Sequence, residues 1–264
     1  MQAVIDITWW QLGLFLTTLI IPLSINSWLG LKLHKEFLLA AGRMVLQLIL
    51  VGLYLAYLFE LNSLLVNALW LLIMLLIGAS AIVSKAHLPR RWVYGPVLTG
   101  LTLALLPLLA LLLFALLQPT PWFSAQYLIP LAGMLLGNSL SGNIVALQRL
   151  NSAFQDKFAE YEAALALGAT PKQAAQGFVQ QALQQAQAPI IASMATTGLV
   201  TLPGMMTGQI LGGTDPMIAI KYQLVILVAI AVMLVTSVAI TLLLTLASVL
   251  GPTGQVKLSL KSAN

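Results

Sequence analysis

The sequence predicts an all-α, polytopic helical membrane protein. Of its 264 residues, 60% are hydrophobic and only 7% are charged, whereas a soluble domain is near half apolar and a quarter charged. Apolar stretches recur along the chain, and most are close to the roughly 20 residues that a helix needs to cross a bilayer. A count of 12 basic and 7 acidic residues is too small to coat a soluble surface. We therefore expect a single transmembrane domain over residues 1–264.

About seven stretches are long and apolar enough to be predicted as membrane spans. They run over Trp9–Leu29, Phe37–Phe59, Leu64–Val83, Val93–Leu117, Tyr127–Leu147, Ile190–Leu211 and Tyr222–Leu250. The sixth is rich in Thr, Gly and Met and contains Pro203. The seventh is longer than a bilayer requires, so we expect it to tilt or to protrude.

The basic residues orient the predicted spans. Ten of the twelve fall in alternate connections or in the C-terminal tail: Lys32, Lys35, Lys85, Arg90, Arg91, Arg149, Lys157, Lys172, Lys257 and Lys261. The other side carries Lys221 together with Asp6, Glu60 and Asp215. By the positive-inside rule the N-terminus is outside and the C-terminus is cytoplasmic, which requires an odd number of spans. Because the basic residues are scattered and form no patch, a nucleic-acid partner is not expected.

One connection, residues 148–188, is long and polar, and it predicts a cytoplasmic helical hairpin. Gly168-Ala169 ends the first helix, and Thr170 caps a second helix that begins at Pro171. Apolar side chains recur at helical spacing in both halves: Phe154, Phe158, Tyr161 and Leu165 in the first, and Ala175, Phe178, Val179, Ala182 and Ala186 in the second. Such a hairpin could receive force from a soluble partner, or it could rest on the lipid headgroups.

The hairpin carries a short motif. Glu162-Ala163-Ala164, followed after three residues by Gly168, resembles the EAA-x3-G motif of ABC-transporter permeases, whose loop docks in a groove of the ATPase subunit. No Walker A pattern occurs in the sequence, so ATP-Mg is expected on a separate ATPase chain and no cofactor on this one. The expected ATPase-coupling residues are Glu162, Ala163, Ala164, Gly168, Ala169, Thr170 and Pro171.

Span two contains Arg43 and Gln47, one helical turn apart. A charge inside a span is a functional candidate by default. However, Arg43 lies only ~9 Å from the predicted cytoplasmic end, so its side chain could also reach the interface. Both readings, a pathway residue and an anchor, stay open.

Spans five and six hold most of the other polar groups within the membrane. Glycines at GxxxG spacing favour tight helix packing, whereas the proline and the amides and hydroxyls favour a polar crevice between the two spans. Met205 and Met206 are candidate thioether ligands for a soft metal ion or packing side chains. The remaining candidate pathway residues are Asn138, Thr197, Thr201, Pro203, Gly204, Thr207 and Gln209.

The residues point to transport rather than to catalysis. The sequence contains no cysteine and no His/Asp/Glu cluster at metal-ligand spacing. It also lacks the HExxH and GxSxG motifs of hydrolases. We therefore expect no enzymatic activity in this chain.

Several blocks, taken together, resemble the FetB-type permeases, which are ABC-transporter membrane subunits associated with iron export. They are Arg43-x3-Gln47 with Val51-Gly52, Ala132-Gly133-Met134-x2-Gly137-Asn138, Leu165 to Ala174, Gly198 to Gly208, and Asp215-Pro216 with Tyr222-Gln223. The resemblance implies a homodimer of this chain, two copies of a separate ATPase, and a ferrous or other divalent metal ion as cargo. The chain departs from the family in the glutamines of its second hairpin helix, where members often carry basic residues.

Three alternatives remain. The first is a secondary transporter or channel driven by an ion gradient, although no Asp or Glu lies within a predicted span to form a proton relay. The second is an ABC permease for an organic solute such as a nucleotide sugar, because plant relatives of the family have been linked to such cargo. The third is a membrane scaffold that recruits a cytoplasmic protein through the hairpin.

Overall fold

The computed structural model describes residues 6–31, 33–251 and 254–257. Lys32 and Lys261, two of the orienting charges, lie outside these ranges. Within them the backbone is helical or turning, and its only β pairings are the isolated bridges Thr197–Thr201 and Leu250–Val256. The all-α prediction is confirmed for this part of the chain.

The helices follow in chain order. They are α1 Trp9–Leu16, joined by a 3-10 turn over Thr17–Leu19 to α2 Ile20–Trp28, then α3 His34–Leu61, α4 Leu64–Ala86, α5 Arg90–Ala110 with a π-helical extension over Leu111–Leu117, α6 Ala125–Asp156, α7 Phe158–Ala166, α8 Pro171–Ala174, α9 Gln176–Thr196, α10 Gly204–Leu211 and α11 Pro216–Val249.

Six helical stretches of the described chain are long and apolar enough to cross a membrane. They match six of the seven predicted spans, with α1 and α2 together forming the first. The expectation of a continuous sixth span over Ile190–Leu211 is wrong. The chain there leaves the helix at Thr196 and enters α10 only at Gly204.

Two residues explain the break between α9 and α10. Gly198 adopts φ +88°, a left-handed conformation that a residue with a side chain rarely adopts. Its N–H donates to the Thr201 carbonyl at 2.9 Å and closes a tight turn. Pro203, at the N-cap of α10, has no N–H with which to continue a helix.

Two further boundaries differ from the sequence prediction. Residues 148–156, expected in the cytoplasmic segment, continue α6 without interruption. The second hairpin helix, expected to end near Pro189, is bent after α8 and then runs through Pro189 to Thr196 as α9. The interior proline is tolerated because it removes only one hydrogen bond of a 21-residue helix.

The packed core consists of α4, α5, α6, α9 and α11. Its main cluster includes Val97, Leu101 and Leu105 of α5, all with no exposed surface, and Met233 of α11. By contrast, none of the α1–α2 span is buried, and α3 touches the core chiefly through Leu58 and Tyr54 near its end. The first two spans therefore leave most of their apolar surface to lipid or to another chain.

Side-chain contacts define the two ends of the bundle. At one end, the Gln148 amide donates to the Lys85 carbonyl at 3.0 Å and the Ser248 hydroxyl donates to the Trp92 carbonyl at 3.0 Å. At the other, the Asn62 side chain accepts from the Ala125 N–H at 3.0 Å. The first end also carries α7 and α8, and we call it the coupling end. That this end is cytoplasmic remains a prediction from the charges.

Candidate functional site

The hairpin region forms an exposed elbow at the coupling end. We call residues 158–174, which comprise α7, the turn after it and α8, the coupling elbow. Glu162, Ala163, Gly168 and Thr170 are exposed, and Leu167 at the tip has 89% of its surface accessible. The remaining predicted coupling residues, Ala164, Ala169 and Pro171, are half-buried beside them. The seven residues thus lie on α7, on the exposed turn that follows it and at the start of α8.

The backbone of the coupling elbow follows from its sequence. Gly168 adopts φ +92°, which lets the chain reverse directly after α7 without the steric cost that a side chain would impose. The Thr170 side chain accepts from the Gln173 N–H, and the Gln173 side chain accepts from the Thr170 N–H at 2.9 Å. This capping box starts α8 with Pro171 at its first position, as predicted.

An aromatic cluster attaches the coupling elbow to the bundle. The Phe154 ring of α6 meets Tyr161 of α7 edge-on at 5.5 Å between centroids, and Phe178 of α9 at 5.2 Å. Burial raises the pKa of the Tyr161 hydroxyl above its ordinary value of 10.0. Of the predicted first stripe, Phe158 is instead 42% exposed. The coupling elbow is therefore packed against α6 through the Tyr161 ring, and α6 is packed in turn against Phe178 of α9.

A second feature is a cavity of about 330 Å³ at the opposite end of the bundle. It opens between the π-helical extension of α5, α6, α10 and α11. Its walls combine apolar side chains with amides, hydroxyls and two thioethers. The polar and sulfur-bearing lining residues are Gln126, Tyr127, Met134, Met205, Gln209, Thr214 and Tyr222.

The side-chain groups that could bind a ligand in this cavity are uncharged. The Gln209 side-chain oxygen is buried and has no hydrogen-bond partner among the described residues. Among the residues that the structure describes, no carboxylate, imidazole or cationic group lines the cavity, and no three His, Cys, Asp or Glu side chains group into a metal site. Thioether and amide donors of this kind suit a soft or weakly held cation, or a polar organic solute.

The candidate pathway residues separate into groups. Only Met205 and Gln209 line the cavity. Met206 and Thr207 lie on the same short helix, α10, and the Thr207 hydroxyl donates back to the Pro203 carbonyl at 3.1 Å. Three of the others lie at the turn before α10: Thr197, Thr201 and Pro203, followed by Gly204 as its first residue.

Asn138, Arg43 and Gln47 lie outside the cavity. Asn138 is exposed on α6, and its amide donates to the Met134 carbonyl at 2.8 Å. Arg43 and Gln47 are exposed on α3 and contact neither the cavity nor the coupling elbow within the single chain. Met134, which lines the cavity together with Met205 and Gln209, lies one turn of α6 before Asn138. The polar crevice between spans five and six stays a prediction.

Sequence reasoning missed most of the cavity lining. Tyr127, Pro130 and Met134 follow one another at helical spacing on α6, and the exposed residues Asn138 and Ser141 continue the same face. That periodicity is readable in the sequence. The participation of Tyr222 and Thr214 is not, because it depends on how α11 approaches α6.

Comparison with known proteins identifies the family. The model of an uncharacterised protein family, UPF0014, matches residues 9–250. This chain belongs to the UPF0014 family. A UPF0014 membrane protein of Synechocystis is 38% identical over 226 residues, which cover 86% of this chain and 87% of the relative.

Two other relatives have more informative names. "Probable iron export permease protein FetB" of Escherichia coli is 32% identical over 84% of each chain. "Protein ALUMINUM SENSITIVE 3" of Arabidopsis thaliana is 35% identical over 75% of this chain and 71% of the relative. No solved structure matches the sequence. The long apolar helices and these relatives confirm the FetB-type resemblance and make this UPF0014 chain an integral protein of the bacterial inner membrane.

Proposed function

We propose that this UPF0014 protein is the permease subunit of an ABC transporter that exports a metal ion, with iron as the first candidate. The observation that carries the proposal is the coupling elbow, which presents the EAA-x3-G residues on α7 and the exposed turn after it, at the end of the bundle that bears most of the described basic residues. The name of the Escherichia coli relative supports both the permease role and iron as cargo. ATP-Mg is bound and hydrolysed on a separate ATPase chain.

In this proposal the coupling elbow docks in the ATPase. Small alanines beside Glu162 permit close approach, and the left-handed Gly168 keeps the turn narrow. The ATPase can shift the transporter between two states only if it binds one elbow geometry more tightly than the other. The Tyr161–Phe154 contact then carries the displacement from α7 into α6, and the Phe154–Phe178 contact carries it from α6 to α9.

A second copy of the chain completes the transporter. ABC transporters need two membrane halves, and one chain supplies one. The single chain leaves Arg43 and Gln47 exposed on α3, a helix that the core barely covers. A charge and an amide at that depth are costly in lipid, so they favour a polar partner such as the facing copy. Lipid covers the apolar side chains of α1–α3 that the second copy leaves exposed.

The cavity is the proposed binding site for the cargo. Met205, with Met134 and the unpartnered Gln209 oxygen, offers soft and neutral donors. Met206 lies outside this lining and retains a role only as a neighbour on α10. A neutral donor set holds a divalent cation weakly, which suits an exporter because cargo that binds tightly is released slowly.

Reconstitution tests the proposal. The chain and its ATPase are placed in liposomes, and ATP hydrolysis and metal efflux are measured with Fe(II), other divalent ions and a nucleotide sugar. We expect Fe(II) to stimulate hydrolysis and to cross the membrane only when ATP is present. Stimulation by the organic solute without any by Fe(II) would overturn the iron assignment. Transport that follows an ion gradient without ATP would overturn the ABC assignment.

A further inference from the structure

The chain that follows α11 folds back onto the coupling elbow. Its described residues are Gly251 and 254–257, which we call the C-terminal clasp. The Lys257 N–H donates to the Val249 carbonyl at 2.9 Å, and the Gly251 N–H donates to the Gln255 carbonyl at 2.8 Å. Leu250 and Val256 pair as an antiparallel bridge. The clasp is thereby fixed to the end of α11.

The same segment contacts α7. The Tyr161 hydroxyl donates to the Gly254 carbonyl at 3.0 Å, and Tyr161 is only 1% exposed. Gly254 adopts φ +83°, and a Cβ built there would lie 2.6 Å from Cδ1 of Leu165. The positive φ strains any residue with a side chain, and an added Cβ would also force the Leu165 methyl group to move. Tyr161 and Leu165 therefore sit against a surface that the clasp supplies.

A third contact extends the clasp to α5. The Lys257 ammonium lies 4.9 Å from the centroid of the Trp92 ring, a cation–π geometry. The Trp92 carbonyl in turn accepts from the Ser248 hydroxyl of α11. The clasp thus joins α7 to the coupling ends of both α5 and α11.

We propose that the C-terminal clasp holds α7 in place and that Tyr161 is the positioning residue of the coupling elbow. Tyr161 is the one fully buried residue of this nine-residue helix. A helix this short is marginal by itself, so its placement depends on tertiary contacts. The assignment of a partner to the coupling elbow rests on the proposed function, whereas the clasp itself rests on the contacts above.

Amide hydrogen exchange of the full-length protein in lipid nanodiscs tests the clasp. Tyr161→Phe removes the hydrogen bond to Gly254 and keeps the ring. Its control is Tyr57→Phe, at a tyrosine that is 61% exposed. Gly254→Ala adds a Cβ that would lie too close to the Leu165 side chain. Its control is Gly213→Ala, where φ is +88° but nothing lies within 4 Å of the added atom.

We expect exchange of the amides of residues 158–166 to rise about 2- to 10-fold in Tyr161→Phe, the range for loss of one hydrogen bond, and more in Gly254→Ala. Neither control should change these amides. Unchanged exchange of α7 in both test variants would overturn the clasp.

A second readout separates this inference from the proposed function. If the ATPase responds to the wild-type chain, Tyr161→Phe should lower the stimulated hydrolysis while the unfolding temperature stays near that of Tyr57→Phe. Full stimulation by a variant whose α7 exchanges faster would overturn the positioning role. If no ATPase responds to the wild-type chain, the proposed function fails, and the exchange experiment still decides the clasp.

Discussion

The contact between α5 and α11 permits a quantitative test of the fold, because it depends on Gly100. A Cβ at this position would touch the Thr241 hydroxyl and would lie 2.8 Å from the Ser237 carbonyl oxygen and 3.1 Å from the Thr241 backbone nitrogen. Ordinary contact distances begin at 3.4 Å. The α11 backbone would therefore have to retreat by about 0.6 Å, the difference between 3.4 and 2.8 Å.

The expected magnitude follows from two opposing terms. Overpacking of a core costs about 1–3 kcal/mol, and replacing a helical glycine by alanine recovers up to about 1 kcal/mol. With the full helix gain, Gly100→Ala should therefore lower the free energy of unfolding by about 0–2 kcal/mol relative to the wild type, and by about 1–3 kcal/mol relative to a glycine-to-alanine change that meets no obstacle. Gly78→Ala is the matched control, because its Cβ would lie 3.9 Å from Leu101 in a buried site with room for a methyl group.

The assay is equilibrium unfolding of both variants and the wild type in the same mixed micelles, followed by tryptophan fluorescence. Gly78→Ala should be as stable as the wild type or more stable by up to about 1 kcal/mol, and Gly100→Ala should be less stable than Gly78→Ala. Equal stability of the two variants would refute the close approach of α5 and α11.

The remaining predictions concern the two candidate sites. Gly168→Pro, which cannot adopt φ +92°, and Glu162→Lys should each reduce ATP-driven transport in liposomes by tenfold or more; undiminished transport in both would contradict the docking role of the coupling elbow. Replacing Met134 and Met205 together by leucine, which keeps the volume, should weaken metal-stimulated ATP hydrolysis about tenfold, and an unchanged metal response would remove the cavity as a cargo site. Because burial raises the pKa of Tyr161, the neutral phenol is favoured in the folded protein, and the free energy of unfolding should fall as pH rises above 10.0. Tyr161→Phe should show a shallower alkaline slope in the same titration, and an identical slope would contradict that role of the phenol.

The turn residues of the coupling elbow show how much local sequence can specify. Gly168, Thr170 and Pro171 occur in an order that by itself requires a reversal followed by a capped helix start, and the structure has both. The hydropathy of the spans works in the same way, because each helix must bury its own backbone polar groups whatever its neighbours are. The sequence therefore predicts most ends of these six spans to within three residues; the exceptions are the end of α6 and the start of α11.

The prediction of the sixth span is wrong because its apolar composition favours one continuous helix, whereas its backbone is interrupted between Thr196 and Gly204. Its length and apolar character predicted one helix, but Gly198 and Pro203 each interrupt the hydrogen-bond ladder. Pro203 is visible in the sequence, but the left-handed conformation of Gly198, five residues earlier, is not. The resulting turn is what brings Met205 and Gln209 to the cavity.

Local sequence thus accounts for the fold class, six of the spans and the turn of the coupling elbow, since each follows from short-range backbone chemistry or from hydropathy, and the resemblance of several sequence blocks indicates the family. The cavity that joins Met134 to Met205 and Tyr222, the glycine contact at Gly100, and the clasp between Gly254 and Tyr161 join residues from 71 to 141 positions apart. No local pattern encodes such pairs, because they depend on which helices pack together and on how each helix is rotated about its axis. Packing therefore determined which of the many glycines, methionines and tyrosines of this membrane protein meet.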